Sequence, residues 1–316
     1  MKAAVLAAGL GTRLLPLTDI RPKPLWPVLN RPLLGLVLAQ LEAAGCFQVA
    51  VNTHHLADQV HDFLRSEPWS FLLSVSHEPE ILGTGGGLRQ LGEVLREGAF
   101  LAINADILTD LDLAEVYRAH RPEAVSTLVL HDCPAYNNVW VAGDAVMSIG
   151  APPPGGGADE KPLAYTGIQV VDRKMLRYIP AQGPADLVQA WREAIAAGER
   201  LACLTVSNHF WQDLGTPENY LAAHQRLLAG ASPKLGRYFP GLTDPLIGPG
   251  ARIGAGAQFG GGVCLGAEAV VAAGAFLKNT VVWERAVIAP GVELEDCIVA
   301  SGVQVKDSAR GRVLVS

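Results

Sequence analysis

The apolar positions of the first 228 residues come as short runs set between helical periodicities. Ala3–Ala7 is a continuous apolar run, as a strand covered on both faces requires. Over 32–44, Leu33, Leu34, Val37, Leu38 and Leu41 share one helical face, with Pro32 suited to a first turn and Gly45 to a stop. The pattern predicts further strands at Phe47–Val51, Phe71–Val75, Phe100–Ile103, Val125–Leu130, Ala164–Val171 and Leu201–Val206. Helices are expected between them at Leu56–Leu64, Leu88–Leu95, Leu113–His120, around Met175, at Asp186–Ala197 and at Pro217–Leu228. Such alternation gives right-handed βαβ units: an α/β fold with a Rossmann-like, mixed but mainly parallel sheet. Ligands of such sheets bind beyond the carboxyl ends of the strands. The breaker cluster Ala151–Pro162 reads as a mobile loop within this domain.

The texture changes after Gly230. Aliphatic or aromatic residues recur every six positions at Ile247, Ile253, Phe259, Leu265, Val271 and Leu277. A five-residue step leads to Val282, Ile288 and Leu294, and another to Val299 and Val305. A flexible Gly/Ala linker would not keep this register. The period predicts short strands turning corners, each coil burying residues such as Ile253, Leu265 and Ile288 against its neighbours. Two domains are therefore expected, 1–230 and 231–316, the second a hexapeptide-repeat, left-handed parallel β-helix. Such stacks usually pack against copies of themselves, so a homo-oligomer is expected, a dimer or larger.

Composition narrows the partners. The formal charge of −6 and pI near 5.8 argue against nucleic acid and anionic membranes, so any phosphate must be met by local positive charge. No apolar run approaches the roughly 20 residues that span a bilayer. The five cysteines are scattered without a CxxC pair, which suits free thiols in a reducing cytoplasm. The opening apolar run has one Lys before it and a Pro-rich basic stretch after it, which fits a buried strand and loop better than a signal peptide.

That loop carries the first chemistry. After the run come Gly9 and Gly11, which let backbone N–H groups approach a phosphate. A dinucleotide fingerprint would need a third Gly where Arg13 and Leu14 stand, and a P-loop would need Gly-Lys-Ser/Thr. Instead Arg13 stands beside the loop and Lys23 follows in RPKPL. Two cations beside a backbone nest suit a polyphosphate. Asp106 lies just past the apolar FLAIN, and Asp213 follows HFWQ. Alone, each reads as a turn or cap residue, and a Mg²⁺ takes one or two such carboxylates with phosphates.

The motif Gly9-Leu10-Gly11-Thr12-Arg13 with Pro22-Lys23-Pro24 resembles the signature of the sugar-1-phosphate nucleotidyltransferases, or NDP-sugar pyrophosphorylases. The resemblance continues through ILGTGGGLR (Ile81–Arg89), INADI (Ile103–Ile107), YTGIQVVD (Tyr165–Asp172), WQDLGTPENY (Trp211–Tyr220) and the hexapeptide tail. It implies a GT-A-like nucleotidyltransferase domain that takes an NTP and a sugar-1-phosphate and releases pyrophosphate, with Mg²⁺ as cofactor. It implies that Arg13 holds the β- and γ-phosphates and Lys23 the α-phosphate. Leu6, Ala8, Gly9, Gly11, Thr12, Thr84, Gly85 and Gly86 would face the nucleotide, while Asn104, Thr166 and Gly167 would line the sugar pocket. Asp106 and Asp213 would share the metal. Glu160-Lys161-Pro162 matches a family motif that places the Lys on the sugar phosphate, but only three residues separate Pro162 from Thr166, so Lys161 also reads as a loop charge.

Two rival readings share these features. A non-catalytic nucleotide-sugar-binding subunit could use the fold, but it has no need of both carboxylates. An acyltransferase could use the tail, but none of the eight histidines lies in the repeats, so no general base is present there. The tail is accordingly read as structural, with the phosphate site complete without it. The LGTGGGL loop with a hexapeptide tail most resembles mannose-1-phosphate guanylyltransferases. Uridylyl-, thymidylyl- and heptose-1-phosphate guanylyltransferases remain alternatives.

Overall fold

A computed structural model of the chain describes residues 1–153 and 162–315. Contacts divide these into two compact units. One comprises Met1–Leu10, Val37–Ile107 and Leu111–His209; the other Gly11–Leu36, Leu108–Asp110 and the chain from Phe210.

The first unit is built on a nine-stranded sheet. Its strands are β1 (Lys2–Leu6), β2 (Gln48–Thr53), β3 (Leu72–His77), β4 (Phe100–Asn104), β5 (Ser126–His131), β6 (Val139–Ala142), β7 (Ala145–Ile149), β8 (Ala164–Val171) and β9 (Leu201–Thr205). They lie in the order β3-β2-β1-β4-β8-β5-β9-β7-β6. The neighbours β3, β2, β1 and β4 are parallel, as are β5 and β9; β8 and β7 run against the strands beside them. The mixed sheet expected from the alternation is present, and the opening apolar run forms β1 inside it. Helices Gly83–Leu95 and Leu187–Ala196 bury Leu88, Leu91, Ala190 and Trp191 with Phe100, Leu128 and Met175 in one core. The β6–β7 hairpin went unseen in the sequence. Its strands are short and partly exposed, so they carry little periodicity.

The second unit contains the repeats. Three parallel sheets are formed by strands two or three residues long, as expected of a left-handed β-helix of hexapeptide repeats. Ile247 pairs with Leu265, Leu265 with Val282 and Val282 with Val299, so the aliphatic at each repeat stacks on the one a coil earlier. The five-residue steps are absorbed at Asn279 and Asp296, both with positive φ, before the strand of the next coil begins. Leu265 and Ile288 are fully buried, as expected, but Ile253 is 41% exposed and Ile247 46%. Both belong to the first coil, which is covered on one side only.

Candidate active site

In the first unit, β1 and β4 end side by side: Leu6 is in register with Asn104, and Ala105 N–H donates to the Leu6 carbonyl at 2.9 Å. The turn that follows β1 is fixed from beneath. Ala7 N–H donates to Asn52 Oδ1 at 2.6 Å, and Asn52 Nδ2 donates to Glu78 Oε1 at 2.7 Å. Glu78 Oε2 accepts Leu82 N–H at 2.9 Å, just before the helix that starts at Gly83. Glu78 is completely buried, so its two oxygens depend on these partners. Gly87 makes room for the network: a Cβ there would lie 2.6 Å from Asn52 Nδ2 and 2.9 Å from Glu78 Oε1. One buried amide–carboxylate pair thus holds the backbone after β1 and the start of the glycine helix.

Asn52, Glu78 and Gly87 escaped the sequence reading. The available signal was a polar residue ending an apolar run, VAVN, and a carboxylate directly after β3. Leu6 is half-buried, Ala8 is buried, and Gly9 is exposed with nothing within 4 Å of where a Cβ would stand. That open space is what close approach of a ligand to the backbone requires.

The glycine run proves to be the first turn of helix Gly83–Leu95. Thr84 is exposed. Gly85 N–H donates to the Ala185 carbonyl at 2.9 Å, and a Cβ on Gly86 would lie 2.8 Å from the Leu82 Cβ and 3.1 Å from the Gly183 carbonyl. These two glycines therefore serve close packing within the unit.

Around Asn104 the picture is divided. Gly167, at φ +84, sits in an irregular step of β8, and a Cβ there would fall 3.3 Å from Asn104 Nδ2 and 2.7 Å from Ile107 Cγ1. Asn104 and Gly167 are brought together. Thr166, beside Gly167, is fully buried, and its hydroxyl donates to the Val129 carbonyl at 2.9 Å, so its side chain holds β8 to β5. Asp106 occupies the turn after β4, partly exposed. Lys161, and with it the mobile-loop reading of this stretch, lies outside the described residues.

The second unit gathers the cations. Gly11 has φ +64 and opens the short helix Thr12–Leu14; Thr12 and Arg13 are exposed. Lys23 is 8% exposed, and its Nζ stands 3.9 Å from Asp213 Oδ1. Gly215 closes the group: a Cβ there would lie 2.8 Å from Asp213 Oδ2 and 3.0 Å from Arg13 Nη2. Arg13 and Asp213 thus meet beside Gly215, and Lys23 stands on the other oxygen of Asp213. Asp213 is set by the strand Trp211–Asp213, whose neighbour Phe210 is bonded through N–H to Asp110 Oδ1 at 2.8 Å and through C=O to Thr109 Oγ1 at 2.8 Å. Thr216 then caps helix Pro217–Leu228 through Asn219 N–H.

Of this group, Asp213 is the carboxylate that could share a divalent metal with substrate phosphates. Among the described residues no three His, Cys, Asp or Glu side chains gather as a metal cluster. Magnesium takes one or two carboxylates and completes its shell with substrate phosphates and water.

A family profile described as Nucleotidyl transferase matches residues 2–138. An N-acetylmuramate alpha-1-phosphate uridylyltransferase of Caulobacter vibrioides is 32% identical over 243 residues, covering 71% of this chain and 96% of that protein. A mannose-1-phosphate guanylyltransferase of Mycobacterium tuberculosis is 28% identical over 320 residues, covering 96% of this chain and 81% of the relative. A solved UDP-glucose pyrophosphorylase from Acinetobacter baumannii shares the fold, with a TM-score of 0.61 at 23% identity over 75% of this chain and 96% of its own. With the glycine turn after β1, the paired Lys23 and Asp213 and these relatives in view, the chain belongs to the sugar-1-phosphate nucleotidyltransferases.

Proposed function

We propose that the enzyme is a mannose-1-phosphate guanylyltransferase that works with Mg²⁺. The observation that supports this reading is the alignment to the mycobacterial guanylyltransferase along 96% of the chain, repeats included. The uridylyl relative, which aligns over 71% of the chain, supports a second reading: UTP with an N-acetylmuramate-type sugar phosphate.

In the reaction an oxygen of the sugar-1-phosphate attacks the α-phosphorus of the NTP. The new P–O bond forms as the α–β anhydride breaks, and pyrophosphate leaves. The protein's part is positioning and charge. Lys23 meets the α-phosphate. Its ammonium is held by Asp213 in a nearly dry setting, so little reorganisation precedes substrate binding. Arg13, exposed at the loop, meets the departing β- and γ-phosphates. Backbone N–H groups at Ala8, Gly9, Gly11 and Thr12 donate to phosphate oxygens. Asp106 and Asp213 are the proposed metal carboxylates; bound Mg²⁺ supplies neutralisation of the polyphosphate charge. Asn104 and Gly167 line the sugar side.

The deciding experiment is a matrix of ATP, GTP, CTP, UTP and dTTP against several sugar-1-phosphates, read as pyrophosphate release. The highest kcat/KM is expected for GTP with mannose-1-phosphate. A maximum for UTP with N-acetylmuramic acid 1-phosphate would replace the first reading by the second. A homo-oligomer is also proposed, supported by the uncovered Ile247 and Ile253; a monomer in light scattering at micromolar concentration would overturn it. The five free cysteines support a cytoplasmic setting.

A further inference from the structure

The loop that carries Lys23 is anchored to the β-helix at three points. Arg21, two residues before Lys23, forms a two-pronged ion pair with Glu284 of a central coil, and its Nη2 also donates to Ser301 Oγ at 3.0 Å. Ser301 Oγ in turn donates to Glu284 Oε1 at 2.8 Å. The Arg21 guanidinium lies 4.8 Å from the centroid of the fully buried Trp283. Trp26, three residues after Lys23, packs edge-on against both Trp283 and Tyr220, at 5.6 and 5.2 Å between centroids. Trp26 N–H donates to the Lys23 carbonyl at 3.0 Å, and its Nε1 donates to the Arg21 carbonyl at 3.1 Å, so the indole closes a loop around Lys23.

The third anchor holds a strained turn. Leu29 and Asn30 both have positive φ, 46 and 66, a conformation unfavourable for leucine. Leu29 N–H donates to His224 Nε2 at 3.2 Å, and Asn30 Nδ2 donates to the Leu265 carbonyl at 2.8 Å.

We propose that Glu284, acting through Arg21 and supported by Trp283, is a positioning residue for nucleotidyl transfer: the β-helix sets where Lys23 meets the α-phosphate. The inference rests on the reading of Lys23 given above. A surface ion pair contributes little to stability alone. This one is only about a quarter exposed, bonded at both ends and stacked on an aromatic ring, so it acts on geometry, to which phosphoryl transfer is sensitive. The sequence reading kept the tail apart from the chemistry; these contacts join them.

The test uses the full-length chain and two alanine variants. Glu284→Ala removes the anchor. Glu295→Ala is the control: it removes an equally exposed tail carboxylate that pairs with Lys278 and Arg310 and touches no residue of the loop. Glu284→Ala is expected to lower kcat about tenfold and raise KM for the NTP, with KM for the sugar-1-phosphate unchanged. Glu295→Ala should leave all three at parental values. Pairing Arg21→Glu with Glu284→Arg should restore part of the lost rate. Amide hydrogen exchange, which needs no substrate, should quicken over residues 17–30 in Glu284→Ala and not in Glu295→Ala. Faster exchange with parental kinetics would overturn the positioning role and leave only an anchor. Parental exchange and parental kinetics would overturn both. Faster exchange in an enzyme whose parent turns over no substrate pair would place the fault in the proposed function instead.

Discussion

The turn after β1 is fixed by partners 26 to 45 positions apart in the chain, whereas the Lys23 loop is fixed by partners 235 and 263 positions away. The first device is a buried amide and carboxylate that bond the backbone N–H groups of Ala7 and Leu82. The second is a set of rings and an ion pair that aim a charged side chain. Backbone donors need only a turn of the right shape, which one neighbouring strand can impose. A long flexible cation needs its root held on several sides, because each free torsion scatters the charge. The difference teaches that a backbone turn and a charged side chain, each within its own unit, are stabilised by separate means and so can be broken independently.

The largest effect is expected from the carboxylates, one in each unit. Asp106→Asn and Asp213→Asn should each lower kcat by about two to three orders of magnitude, with circular dichroism unchanged, because polyphosphate charge loses its counter-charge. Near-parental turnover of either variant at saturating Mg²⁺ would remove that unit's carboxylate from the site. Next is Lys23→Ala. Loss of one positioned donor to the transition state should slow kcat by roughly a hundredfold, while KM for the NTP changes less. A variant that loses only affinity would move Lys23 from the α-phosphate to ground-state binding.

A smaller effect separates the devices. Glu78→Ala orphans Asn52 Nδ2 and Leu82 N–H and should destabilise the fold by about 2–3 kcal/mol in denaturant melts. Gly87→Ala should do so too by crowding the same atoms. Both should raise KM for the NTP, and restored kinetics at lower temperature would show that the carboxylate supports the turn without contacting substrate.

The smallest effect concerns pH. Burial pushes His224 down to about 4 from an ordinary 6.5, and both its nitrogens are engaged, by the Tyr220 carbonyl and Leu29 N–H. His131 is lowered to about 4 by burial and by His209 beside it. For a histidine whose folded pKa is depressed, the unfolded chain takes up the proton first. The stability present above pH 6.5 is therefore lost as pH falls from 6.5 toward 4. Melting temperature should decline across that window, and His224→Gln, though less stable at pH 7, should decline less steeply. Parallel slopes would show that His224 does not report on the loop.

Much of this was legible beforehand. Helix Pro217–Leu228 and strand Ala164–Val171 fall where periodicity and capping placed them, and the sixfold register located the strands of the β-helix. Arg13 and Lys23 stood out as cations beside a glycine turn, and Asp213 only through the motif that resembles the family's. What stayed hidden was side-chain direction. Thr166 lies in a strand whose motif suggested a pocket, yet its hydroxyl turns to a neighbouring carbonyl. Glu78 stands just past a strand with no pattern to mark it, and only the fold reveals that it is enclosed. Nor does periodicity report that Glu284, at a corner between aliphatic positions, faces Arg21.

The packing of Trp26 between Tyr220 and Trp283 limits how such chains can be recombined. A chimera that joins residues 1–230 of this enzyme to another repeat array would carry the indole and lose one of the two rings that receive it. To be a working cassette, the transferred piece must include 11–36 together with the repeats, two segments that are remote in the gene. Recombination at a single crossover is thus expected to yield folded repeats and a poorly placed lysine, whereas exchange of the matched pair preserves the seat.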